Sequence, residues 1–111
     1  MSANLSPIFA ALADPTRRRI FERLSKRPLT VVKLAAGLPV SRPAVSQHLK
    51  VLSDSGLVSA EQRGRCRVYR IEPKAIRAAR DYLDRMWDDA LVAFKNLVEQ
   101  ENEHERQRTR P

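Results

Sequence analysis

Four side chains with hydrogen-bonding groups lie close together in one short segment: Arg42, Ser46, Gln47 and Lys50. At helical spacing they share one side, and no acidic residue follows them before Asp54. Arginine can pair bidentately with guanine and glutamine with adenine, whereas lysine suits a phosphate. A helix face with these residues has the properties needed to lie in the major groove of DNA.

The same segment has the features of a short helix, predicted over residues 41–54. Ser41 is a suitable N-cap, and Pro43 is tolerated in the first turn because first-turn N–H groups have no intrahelical partner. The apolar residues Val45, Leu49 and Leu52 recur at i, i+4 and i+7, which is typical of one buried helix face. For the segment seen in isolation, an ordinary amphipathic surface helix is the better interpretation, so the rest of the chain has to decide.

One residue of the segment, His48, falls near the apolar edge beside Val45. We therefore expect it to have a structural or phosphate-proximal role rather than to read a base.

A second basic cluster follows this helix at a predicted turn. Residues 57–62 and 67–71 alternate like two strands, and Gly64 lies between them, which is typical of a β-hairpin. Its tip carries Arg63, Arg65 and Arg67, with Glu61 as the only acidic neighbour. Such crowding of like charge favours contact with a polyanion, so residues 62–67 are predicted to be a wing on the DNA backbone or in the minor groove. Solvated arginines are the alternative.

The charge of the whole chain is distributed unevenly. The 111 residues carry a net charge of +8, and residues 1–72, with 13 Lys/Arg and 5 Asp/Glu, account for all of it. The remainder has eight residues of each sign. This segregation favours a nucleic-acid partner for the first part of the chain.

Three further helices are predicted around these elements. Residues 5–13 have the pattern of a short apolar helix, and Asp14 with Pro15 can begin a second one, which runs to about residue 25. The arginines at 17–19 spread around that helix, where they could reach phosphate or a carboxylate or remain solvated. Thr30 can cap a third helix that ends near Gly37, so that a turn of helix–turn–helix length leads to Ser41.

A long helix is predicted from Pro73 to about residue 103. Its apolar residues recur at 3–4 spacing and form a stripe wider than a two-position seam. A second copy of the chain is the expected partner, with a fold-back in a monomer as the alternative. Residues 104–111 contain no apolar side chain and are expected to be a disordered tail.

Four ordered segments resemble the ArsR family of bacterial transcriptional regulators: 12–24, 29–35, 41–58 and 64–71. The SdpR-like group without a metal site is the most similar. The resemblance implies a homodimer that represses transcription from a roughly palindromic operator. It also implies DNA contacts by Ser41 and by the helix and wing residues above, among which we expect Gln47 and Arg42 to be the main readers of base edges, with Ser46 close behind. The dimer interface is implied to be built from the first and last helices, and for it we expect Ile8, Leu83, Met86, Trp87, Ala90, Phe94 and Leu97.

We therefore predict a mainly α (α+β) fold, a winged helix–turn–helix with a two-stranded wing and a long C-terminal dimerisation helix. A single domain is expected over residues 1–103, with residues 73–103 as the dimerisation helix. The single cysteine and the absence of a basic N-terminal region favour the cytoplasm, and no segment is apolar enough to span a membrane.

No metal site and no cofactor are expected. Val31, Val32 and Lys33 stand where metal-sensing relatives place cysteines, and the last helix lacks a histidine before His104. Oxygen-only sites are poor for zinc. No nucleophile–base pair, metal cluster or glycine-rich phosphate loop indicates an enzyme. Two alternatives remain: a repressor released by a small molecule or by modification of Cys66, and a winged helix that binds protein.

Overall fold

The computed structural model describes residues 5–109 and contains five helices and three strands within them. In chain order these are α1 (Ser6–Ala13), α2 (Pro15–Leu24), β1 (Leu29–Thr30), α3 (Val31–Ala35), α4 (Arg42–Asp54), β2 (Val58–Arg63), β3 (Cys66–Ile71) and α5 (Pro73–Thr109). The contacts divide the chain into a unit that ends at Ala79 and a second unit that begins at Arg80. The predicted mainly helical fold with a small antiparallel wing is confirmed, whereas a single domain over residues 1–103 stays a prediction.

Three helices begin at the polar residues predicted to cap them. The Asp14 carboxylate accepts the Arg17 N–H at 2.9 Å, the Thr30 hydroxyl accepts the Lys33 N–H at 3.3 Å, and the Ser41 hydroxyl accepts the Ala44 N–H at 3.3 Å. Each bond satisfies an N–H that has no partner inside its own helix.

The core of the first unit lies between the helices and the sheet. Its largest fully buried side chains are Ile20, Leu34, Val45, Leu49, Leu52 and Leu57. Burial of one such side chain contributes about 1.5–3 kcal/mol. Three of the six come from the predicted apolar face of α4, which therefore faces the core, as its spacing predicts.

The position of Ile8 corrects one expectation. This side chain was assigned to an interface between two copies, but it is only 3% exposed in the single chain and belongs to the core. Very little of its surface is left for a partner to cover.

The sheet has three strands in the order β1–β3–β2, in which β2 and β3 form the predicted two-stranded wing and β1 is a short strand beside it. β2 and β3 pair antiparallel from Val58↔Ile71 to Arg63↔Cys66, and β1 adds two pairs, Leu29↔Tyr69 and Thr30↔Val68. β1 is too short to show an alternating pattern in the sequence. It exists because β3 supplies the partner for its backbone groups.

The last helix continues past its predicted end. Residues 104–109, expected in a disordered tail, extend α5 to Thr109, and residues 110–111 of that tail lie outside the described residues. The sequence of this stretch consists largely of Glu, Gln and Arg, which are good helix formers, and extending an existing helix avoids the cost of nucleation. The absence of apolar residues was therefore a poor indicator of disorder.

Candidate nucleic-acid interface

The two faces of α4 differ sharply in exposure. Val45, Leu49 and Leu52 are 0% exposed, while the polar side chains predicted to contact DNA are all exposed: Ser41, Arg42, Ser46, Gln47 and Lys50. Within residues 5–109, no side chain or carbonyl pairs with the side chains of Arg42, Ser46 or Gln47. Their donors and acceptors are therefore available to a ligand.

Lys50 is held by a weak local contact. Its Nζ lies 3.2 Å from Oδ2 of Asp54, one turn later on the same helix, and both side chains are about two-thirds or more exposed, at 72% and 68%. An exposed pair of this kind stabilises a helix by only a few tenths of a kcal/mol. A phosphate can therefore take the place of the carboxylate at little cost.

The tip of the wing is a tight turn that presents its arginines to solvent. Gly64 has a φ of +60°, which glycine adopts more readily than other residues, and its carbonyl accepts a hydrogen bond from Gln62 Nε2 at 3.1 Å. Arg63 lies 3.6 Å from the Glu61 carboxylate. Arg65 and Arg67 are exposed and have no carboxylate partner in the described part of the chain.

A groove separates the recognition helix from the wing. Its walls are Ser46, Lys50 and Ser53 of α4 on one side and Val58, Ser59, Ala60, Arg67 and Tyr69 of the wing on the other. The structure thus brings Arg67 of the wing together with Ser46 and Lys50 of α4, which the sequence placed in a separate motif. Two cations beside the hydroxyl groups of Ser46 and Ser53 have the chemistry of a phosphate-binding site. Arg42, Gln47 and the tip arginines are not among the residues that line this groove.

Two arginines of the basic run at 17–19 have a structural role that the sequence did not reveal. Arg17 Nε donates to the Ala11 carbonyl at 2.8 Å, and Arg18 donates to the Leu12 and Ala13 carbonyls at 2.9 and 3.1 Å. These carbonyls end α1 and have no intrahelical partner. The sequence did contain a signal for this role. α1 ends without a glycine, and a run of arginines that can bond its last carbonyls follows closely.

Arg23 supports the helix–turn–helix in the same way. Its two terminal nitrogens donate to the Leu34 and Lys33 carbonyls of α3 at 2.7 and 3.2 Å. A Cβ on Gly37, in the turn between α3 and α4, would lie 2.8 Å from Arg23 Nη1. Glycine at this position therefore leaves space for the guanidinium.

The charged form of the Asp14 carboxylate is stabilised at the start of α2. The N–H of Arg17 donates to this carboxylate and lowers its pKa, and the charge of Arg17 acts in the same direction. His48 is half-buried, which agrees with its position at the edge of the apolar face. Its expected structural or phosphate-proximal role stays a prediction.

The described residues contain neither a candidate metal cluster nor a candidate membrane span. Residues 5–109 contain no group of three His, Cys, Asp or Glu side chains placed to hold a metal ion. No helix within the same span is both long and apolar enough to cross a membrane.

Comparisons with known proteins identify close relatives. A helix-turn-helix domain family matches residues 12–59. The HTH-type transcriptional regulator Rv2034 of Mycobacterium tuberculosis is 50% identical over 105 residues, which cover 93% of this chain and 98% of that protein. An ArsR-like transcriptional regulator from Rhodococcus sp. RHA1 superposes with a TM-score of 0.68 at 36% identity, over 84% of this chain and 91% of that one.

A further solved structure bears on assembly. It is the homodimeric winged helix-turn-helix DNA-binding domain of Mb0332 from Mycobacterium bovis, described as a possible ArsR-family transcriptional regulator. It superposes with a TM-score of 0.61 at 27% identity, over 78% of this chain and 81% of that fragment.

Proposed function

The chain belongs to the ArsR family of transcriptional regulators, and we propose that it binds a DNA operator as a homodimer and represses transcription there. The observation that carries this proposal is the contrast between the two faces of α4. One face is fully buried in the core, whereas the other presents four polar side chains to solvent next to a wing that carries three arginines. A helix with these properties suits the major groove.

We assign base recognition to the N-terminal half of α4. Gln47 can pair with adenine and Arg42 with guanine, each through two hydrogen bonds, and Ser46 lies beside them. The absence of partners for these side chains within residues 5–109 supports the assignment, since no internal bond must break before they reach a base.

Phosphate binding is assigned to the remaining basic residues. Lys50 and Arg67 both line the groove between the helix and the wing, and we assign a backbone phosphate to this groove. Arg63 and Arg65 at the tip follow the DNA backbone or enter the minor groove. Ser41, at the start of α4, places backbone N–H groups near a phosphate.

The apolar side chains of α5 support dimerisation. Trp87, Phe94 and Leu97 are 61%, 65% and 61% exposed in the single chain, and Leu83 and Met86 are 38% and 45% exposed. Together with Ala90 they form the interface that we propose for a second copy, because so large an exposed apolar surface is unusual for a monomer. A two-fold dimer then presents two copies of α4 to a palindromic site with half-sites about 34–36 Å apart.

We propose repression as the effect of such a dimer on a promoter. A protein that covers two half-sites within a promoter blocks access of the polymerase to the same DNA. We further propose that the protein acts in the cytoplasm and that residues 1–103 form its functional domain.

Selection of bound sites from a random duplex pool tests the proposal. We expect an enriched palindrome with half-sites one helical turn apart and, on a promoter that contains this palindrome, fewer transcripts when the protein is added. Failure to enrich any duplex would contradict DNA recognition, and enrichment of a single half-site would contradict the dimer. An increase in transcripts would contradict repression.

A further inference from the structure

The position of the wing tip depends on how the base of the wing is oriented. β2 and β3 pair only with each other near the tip, and every side chain from Glu61 to Arg67 is exposed. Ser59 and Gly64 are five positions apart, or about 16 Å along a strand. A rotation of about 10° at the base therefore moves the tip by about 3 Å, the length of a hydrogen bond. The contacts of the tip arginines are correspondingly sensitive to whatever holds the base.

Glu72 holds the base of the wing through contacts with three elements. Its N–H donates to the Leu57 carbonyl at 2.8 Å, and its own carbonyl accepts the Ile76 N–H of α5 at 3.4 Å. Its carboxylate accepts a hydrogen bond from the Ser59 hydroxyl of β2. The Nε of Arg70, on β3, lies 3.9 Å from the same carboxylate oxygen.

The bond between Ser59 and Glu72 runs diagonally across the strand pair. Ser59 lies opposite Arg70 in the register, and Glu72 comes two residues after Arg70. Because the bond joins β2 to the residue that follows β3, it opposes movement of the two strands against each other at the base of the wing. The Glu72 side chain is only 35% exposed, so water competes less for this bond than it does at the tip.

We propose that Ser59 and Glu72 are positioning residues that set the angle of the wing for DNA binding. This inference rests on the proposed function, and it gives a reason for a carboxylate in a unit whose net charge is strongly positive. A carboxylate near the DNA backbone repels phosphate, so its removal should strengthen binding if charge alone mattered. A role in positioning predicts instead that removal of the carboxylate weakens DNA binding.

The test measures duplex affinity for single variants of the full chain. Ser59→Ala removes the hydroxyl without a change in charge, and we expect about 3- to 10-fold weaker binding to the selected duplex. Glu72→Ala should weaken binding to a similar extent although it removes a negative charge. The single variant Ser59→Thr, which keeps the hydroxyl, should bind the duplex with the affinity of the wild-type protein. The matched control is Glu61→Ala, which removes an exposed wing carboxylate 3.6 Å from Arg63 and should strengthen binding.

A double-mutant cycle with Arg65→Ala separates positioning from direct contact. If Ser59 acts through the wing, its substitution should reduce affinity less when Arg65 is absent than when it is present, so the two losses should not add. Additive losses, or wild-type affinity of Ser59→Ala, would overturn the inference and leave the proposed function intact. Failure of the wild-type protein to bind any duplex would overturn both. If Glu72→Ala unfolds, the cycle with Ser59→Ala decides the question alone.

Discussion

Gln47 and Arg65 are both exposed and polar, but their positions predict different losses when either is truncated. Gln47→Ala should relax sequence preference at one base pair by about 1–3 kcal/mol. Arg65→Ala should weaken all duplexes alike and lower the slope of log affinity against log salt by about one. Binding of the wild-type and both variants to the selected site, single-base variants of it and random duplex, at several salt concentrations, measures both effects. Equal loss of sequence preference in the two variants would contradict the assignment.

The lowered pKa of Asp14 predicts that the protein loses stability as the pH falls into the acid range. Its pKa is lowered in the folded state, so its carboxylate stabilises the fold above the ordinary carboxyl pKa, and this contribution is lost as the pH falls through the lowered value. Asn caps a helix similarly but does not titrate. The melting temperature of the wild-type protein should therefore exceed that of Asp14→Asn at pH 6, and the difference should shrink below about pH 4. A difference that is constant with pH would contradict this prediction.

The residues that could be assigned from sequence are those whose partners lie nearby in the chain. Asp14, Thr30 and Ser41 cap helices that begin at the next residue, so residue type and position were sufficient. Arg23 donates to carbonyls ten and eleven residues away, which no local pattern reveals. The base-reading roles of Arg42 and Gln47 rest on exposure and chemistry and stay predictions until DNA binding is measured.

At the scale of elements, Arg23 and Gly37 should be coupled in the joint between α3 and α4. Gly37→Ala reduces the entropy of the unfolded chain, which stabilises by about 0.4–1 kcal/mol where the backbone permits it. Here the new Cβ would meet Arg23 Nη1 at 2.8 Å and disturb its bond to Leu34.

We therefore expect Gly37→Ala to stabilise the protein only in an Arg23→Ala background, with a coupling of about 1 kcal/mol between the two changes. Urea denaturation of the wild-type, the two single variants and the double variant measures this coupling. If the changes in the free energy of unfolding of the two single variants add up to that of the double variant, the Arg23 guanidinium moves aside without loss of stability, and the prediction is contradicted.

Elements with a clear period were predicted well, and elements defined by neighbours were not. α4 has three buried residues on one face, and β2 and β3 alternate on either side of a glycine turn. β1 has two residues and forms only because β3 lies beside it. The end of α5 was placed too early, because helix propensity extends a helix beyond its last apolar residue.

At the scale of the molecule, dimerisation is expected through one face of α5. Phe94 and Val92 are 65% and 58% exposed, but they lie on opposite sides of the helix because each residue adds about 100°. Phe94→Asp should produce a monomer at micromolar concentration and weaken binding to the palindrome by about 100-fold or more through lost avidity. Val92→Asp, the matched control, should remain a dimer. Sedimentation measures the mass, and equal behaviour of the two variants would contradict the assigned face.

The wing also offers a position for a probe. Cys66 is the single cysteine in the sequence, and it is exposed at the start of β3, two residues after the tip glycine. A nitroxide attached there would need no prior mutation and would place one spin label on each copy of a dimer. The distance between the two labels, recorded by pulsed electron resonance with and without operator, would then report how far apart the two wings are held when the DNA is bound.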